Sequence, residues 1–100
     1  MKQLILQRAA EAEFEEAVAF YERRRAGLGG EFREAVMESI ARIRRHPQRF
    51  ARYKRSPYRS CLVKRFPYVI YFGETDDRIW VMAVAHGRRR PDYWRRRKLI

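Results

Sequence analysis

The chain has 100 residues, of which 46% are hydrophobic and 14% aromatic, and a formal net charge of +12. That length suits one domain, expected over residues 1–100, and the apolar fraction excludes wholesale disorder. A lone Cys61 excludes an internal disulfide and fits a reducing cytoplasm, while no stretch approaches the roughly 20 apolar residues of a membrane span.

The N-terminal run Leu4-Ile5-Leu6 is too short for a signal peptide and reads as a strand over residues 3–7. Ala9 to Arg25 reads as a helix, with Ala10, Phe14, Ala17, Val18 and Tyr21 on one face. Glutamates gather at its start and Arg23–Arg25 at its end, an order that complements the helix dipole. Gly27, Gly29 and Gly30 break the chain. A second helix is expected from about Gly30 to Arg45, with Phe32, Ala35, Val36, Ile40 and Ile43 as its apolar stripe. His46-Pro47 ends it, because the residue before proline is pushed out of the α region. The short glycine-rich link predicts an antiparallel helical hairpin.

Residues 48–58 are basic and irregular. Arg59 to Phe66 alternates and reads as a strand that buries Cys61. Tyr68 to Phe72 is a second strand, 73–77 a hairpin loop, and Arg78 to Ala85 a third, apolar on both faces and therefore central. The order β-α-α-β-β-β predicts an α+β fold, an antiparallel sheet with the helical hairpin packed on one face. The closing stretch, Arg88 to Lys98, reads as a short helix after Pro91 or a tail.

The charge is uneven. Residues 1–50 hold 10 Lys+Arg and 8 Asp+Glu, about +2; residues 51–100 hold 14 and 4, about +10. A basic half beside a near-neutral half fits a polyanion or an acidic protein, against the plainer reading of a solubilising surface. Only four of the 24 cations are Lys, and Arg is the better bidentate partner of phosphate and carboxylate.

Chemistry is sparse. One Cys and two separated His, His46 and His86, give no metal-ligand spacing, and no cofactor is expected. Gly27-Leu28-Gly29-Gly30 lacks the Lys-Ser/Thr of a phosphate loop. No nucleophile elbow surrounds a serine. The acids fall on the helices and a hairpin loop, and read as solvated faces. What remains is a phosphate-handling set: Arg59, Lys64 and Arg65 on or just after the first meander strand, and His86 and Arg88–Arg90 after the last. A ribonuclease using the RNA 2′-OH needs a base, an acid and charge stabilisation, and histidine is the residue type that titrates near neutrality. The competing reading of His86 is an imidazole bonded to backbone. Tyr93 and Trp94 either offer contact surface or fold back over the sheet. Arg95–Lys98 reads as a solvated tail.

The chain resembles toxins of the bacterial RelE/ParE superfamily. The likeness rests on the element order, on Arg44-Arg45-His46-Pro47, on Arg65-Phe66-Pro67-Tyr68-Val69-Ile70-Tyr71, and on Val84-Ala85-His86-Gly87-Arg88-Arg89-Arg90-Pro91-Asp92-Tyr93-Trp94. The Phe-Pro-Tyr and His-Gly-Arg-Arg segments place it nearer the ParE branch. The resemblance implies a toxin of a type II toxin–antitoxin pair that inhibits DNA gyrase by binding. His86, Arg88, Arg89, Arg90, Tyr93 and Trp94 are then the expected target-binding residues. It also implies a cognate ParD-like antitoxin with an acidic C-terminal segment. The alternative within the superfamily is a ribosome-dependent endoribonuclease acting on messenger RNA, for which Arg59, Lys64, His86, Arg88 and Tyr93 are the candidate catalytic set.

Overall fold

A computed structural model describes residues 1–98. Strand β1 (Gln3–Leu6) leads directly into helix α1 (Arg8–Arg24). The Gln7 side chain caps that helix by accepting from the backbone N–H of Ala9 at 2.8 Å and of Ala10 at 3.3 Å. Helix α2 (Leu28–Arg45) follows after Gly27, whose φ of +89° suits glycine. Gly29 lets the two helices close: a Cβ there would sit 2.6 Å from the Val18 carbonyl oxygen. The hairpin is antiparallel, pinned by Arg33 on Glu15 at 2.7 Å. A 3-10 turn (Pro47–Arg49) then leads into the loop before the sheet.

Strands β2 (Arg59–Leu62), β3 (Tyr68–Glu74) and β4 (Arg78–His86) form the expected antiparallel meander. The sheet as a whole is not antiparallel, however. Its order is β1-β4-β3-β2, and β1 pairs parallel with β4. The sheet is therefore mixed, and β4 lies inside it, as its apolar character on both faces requires. β2 is shorter than its alternating pattern suggests. It ends at Leu62, and Arg65 at φ +72° turns the chain toward β3.

Two apolar layers flank the sheet. On one side the helical stripes, with Phe14, Phe32, Val36, Ile40 and Ile43, meet Ile70, Phe72, Ile79, Val81 and Val84. Cys61 is buried there as expected, and burial pushes its thiol up. On the helix-free side Met82, Ala83, Ala85 and Trp94 pack with Tyr53, Tyr58, Tyr71, Trp80 and Tyr93. An irregularity in the β3–β4 register makes this possible. Tyr71 faces Ala83 and Phe72 faces Val81, so Met82 is an extra residue. A bulge of this kind breaks strict alternation, and Met82 and Ala83 both join the second layer. No helix among the described residues is long and apolar enough to cross a membrane.

Candidate functional site

The C-terminal segment is a packed structure, not a tail. β4 extends past the end of β1, so the edge of β4 beyond Val81 has no strand beside it. Helix α1 and the C-terminus supply its partners. Val84 donates its N–H to Glu13 Oε1 at 3.0 Å, and Arg97 Nη1 donates to the Met82 carbonyl at 2.9 Å. Arg97 also grips Glu13 with both nitrogens, at 2.9 and 2.7 Å, and the Tyr93 hydroxyl donates to Glu13 Oε2 at 2.6 Å. Four donors saturate this carboxylate, whose side chain is only 13% exposed.

Arg89 completes the group. Its guanidinium lies 3.9 Å from the Tyr93 ring centre and its Nη1 4.0 Å from Glu13. Burial, then the hydrogen bond to Glu13, pushes the Tyr93 hydroxyl well above the usual phenol range. A raised folded value means the stabilisation is complete below about pH 10 and is lost as pH rises through the folded value. We expect the phenolate signal of Tyr93, taken as the difference between wild type and Tyr93→Phe, to emerge only with alkaline unfolding. Its emergence in the folded protein near pH 10 would contradict this arrangement.

A second anchor ties the segment to the loop before the sheet. Asp92, at φ +65°, accepts from the Tyr53 hydroxyl at 2.8 Å and from Lys54 at 2.9 Å. The Lys54 ammonium and then the Tyr53 hydroxyl hold its carboxyl below the usual carboxylate range. Trp94 is 1% exposed, stacked on Tyr71 at 4.7 Å with Tyr58 edge-on at 5.0 Å. The family resemblance implies Trp94 as a contact residue. Its place is in the core, because the helix-free sheet face needs an apolar cover. Arg97 likewise leaves the expected solvated run, since it completes the β4 edge.

His86 ends β4. Its Nδ1 accepts the Arg88 N–H at 3.0 Å and its ring meets Tyr68 edge-on at 5.3 Å. It shapes the turn that presents Arg88, Arg89 and Arg90, all exposed. The other candidates do not gather around it. Arg59 pairs in register with Phe72, and Phe72 with Val81, five residues before His86 along β4. The bulge makes those five residues span four of β3, from Phe72 to Tyr68, so at about 3.3 Å per residue the offset along the strands alone is roughly 13 Å. Arg59 instead bonds the Phe50 carbonyl at 2.7 Å, and Lys64 turns to Glu38 on α2 at 3.5 Å. Among the described residues no group of three or more His, Cys, Asp or Glu is placed to hold a metal ion.

Glu13 reads from the sequence as one of the solvated acids of α1, and the structure makes it the acceptor on which this segment closes. Its spacing held the signal, for it lies three residues after Ala10 and four before Ala17, on the flank of the buried stripe.

A family described as "ParE toxin of type II toxin-antitoxin system, parDE" matches residues 4–91. The chain belongs to the ParE toxin family. It is thereby the toxin component of a ParDE-type type II toxin–antitoxin system, a setting that implies an antitoxin partner. Among solved structures it is similar to one described as "Chromosomal ParDE TA system from P. aeruginosa". The TM-score is 0.76 at 15% identity, over 86% of this chain and 96% of that one, a likeness of fold. No curated protein matches it in sequence. The two segments that carry the ParE resemblance meet in space: Tyr68 pairs with His86, and Gly87 donates its N–H to the Pro67 carbonyl at 2.8 Å. Phe66 joins Phe32 and Tyr21 in an aromatic cluster at 5.1 and 4.9 Å.

Proposed function

We propose that this ParE-family toxin arrests DNA gyrase by binding it, with no chemistry of its own, and that a cognate antitoxin blocks the same end of the molecule. The observation that carries this reading is the anchored C-terminal turn. Glu13 accepts from Val84 before Arg88–Arg90 and from Tyr93 and Arg97 after them, and Asp92 accepts from Tyr53 and Lys54, so these arginines form an anchored basic surface. His86 and Tyr93 shape that surface, and Trp94 holds it from within. Pre-ordered arginines lose little entropy on meeting a carboxylate-bearing protein.

The antitoxin reading rests on the neighbouring cleft, about 440 Å³, between α1 and the end of β4. Phe20, 42% exposed, sits on one wall, with Arg23, His86 and Arg89 around it. The cleft is also lined by Glu13 and Glu16, and an amphipathic segment whose acids meet Arg23 and Arg89 fits its apolar wall. Both partners place the toxin's action in the cytoplasm.

Purified toxin should inhibit gyrase supercoiling, and the antitoxin encoded beside it should relieve the inhibition. Arg88→Ala/Arg90→Ala should weaken inhibition by about tenfold or more, because two charge-assisted contacts are lost while both anchors remain. Intact gyrase activity at micromolar toxin, or cleaved transcripts in arrested cells, would overturn the reading.

A further inference from the structure

The acids of this chain are segregated. Eight lie on α1 and α2, three at the β3–β4 hairpin, and one, Asp92, in the C-terminal segment. Residues 48–58 contain no acid, and residues 87–98 contain only Asp92. These two basic stretches are far apart in sequence, yet the structure welds them into one surface. Asp92 clamps Tyr53 and Lys54 from the first stretch, and Trp94 packs against Tyr53 and Tyr58. The clamp uses up the charge of Asp92. Arg55, Arg88, Arg90, Arg95, Arg96 and Lys98 are exposed and make no ion pair among the described residues.

We infer that this helix-free face binds the phosphate backbone of duplex DNA. Guanidinium groups match phosphate oxygens bidentately, and a duplex offers one charge per roughly 1.7 Å of axis. The aromatic residues decide between duplex and single strand. A single-stranded RNA or DNA needs exposed rings on which its bases stack. Here Trp94 and Tyr71 stack on each other, and Tyr53 and Tyr58 pack against them. Trp94 is buried and Tyr53, Tyr58, Tyr71, Trp80 and Tyr93 are each partly buried, so the arginines stand further into solvent than any of these rings, which suits backbone contact without sequence preference. The inference concerns the toxin alone and stands apart from the gyrase reading.

The test is binding of purified toxin to a labelled random-sequence duplex across salt concentration, with no gyrase present. Arg55→Gln/Arg95→Gln/Arg96→Gln is compared with Arg8→Gln/Arg24→Gln/Arg45→Gln on the helices. Each variant lowers the charge from +12 by three, to +9, so net charge is matched. Each phosphate contact contributes about −0.9 to the slope of log affinity against log salt. Losing three contacts flattens the slope by about 2.7, so between about 50 and 200 mM salt the face variant loses roughly 40-fold less affinity than wild type. The helix variant should keep the wild-type slope. Equal slopes for the two variants would overturn the inference, as would absence of wild-type binding at about 50 mM salt. Stronger competition by single-stranded oligonucleotide or by polyglutamate would also overturn it, assigning the face to unpaired nucleic acid or to an acidic protein.

Discussion

Replacing Trp94 with alanine should cost about 3–5 kcal/mol, the range for removing a large aromatic from a packed core. In a chain of this size that corresponds to a fall in Tm of roughly 15–30 °C. Trp94 closes the helix-free side of the sheet over Met82, Ala83 and Ala85, and it is the largest of the fully buried side chains. Its loss would open a cavity bounded by Tyr53, Tyr58 and Tyr71, rings that pack tilted, edge-on and stacked against it respectively. Trp94→Phe keeps an aromatic face on Tyr71 and should lose less than half as much. Circular dichroism melting measures both. A fall of only a few degrees for alanine would mean that the C-terminal segment contributes little to the fold.

That result bears on how the sequence should be read. The helical stripes were legible because they repeat within one element. Ala10, Phe14 and Ala17 recur at helical spacing, as do Phe32, Val36, Ile40 and Ile43, and the fold buries all seven. β4 was legible as a central strand because a strand covered on both faces cannot alternate. What failed was pairing between distant parts. Nothing within Gln3–Leu6 says that it lies beside β4 and parallel to it. The bulge at Met82 was equally hidden, since it depends on register between two strands. The ParE resemblance found the right segments without saying that His86 and Tyr68 are neighbours.

The site was legible in charge and illegible in contact. Composition located the basic half down to the closing arginines. It could not say which of them are exposed. Arg97 and Arg95 look alike in sequence. Yet Arg97 is only 17% exposed in its side chain and bonds Glu13 and Met82, whereas Arg95 lies at the surface. The same holds for Tyr93 and Trp94, neighbours with different partners. Tyr93 reaches α1 through its hydroxyl, and Trp94 reaches the sheet through its ring. A run of basic and aromatic residues thus resolves into anchors and contacts only when the groups that receive the anchors are known.

Glu13 is the chief of those groups, and its removal has the second large effect. Glu13→Ala takes away the acceptor of the Val84 N–H, the Tyr93 hydroxyl and both Arg97 nitrogens together. Each half-buried donor left unpaired costs about 1–3 kcal/mol, and an unpaired buried charge more. Water reaches this partly exposed group and recovers some of that, so we expect a net loss of roughly 2–4 kcal/mol by denaturant unfolding. Arg97→Ala in the Glu13→Ala background should add little, because the two residues act as one unit. Additive losses would show instead that Arg97 is held by the Met82 carbonyl alone. Release of the anchor should also be visible to trypsin, with faster cleavage after Arg88–Arg90 and Arg95–Arg97 than in wild type. The same variant should weaken both the proposed gyrase inhibition and the inferred duplex binding, since both readings rest on arginines in the segment that Glu13 anchors. A half-buried carboxylate on the first helix would thereby govern what the basic C-terminus can present to a partner.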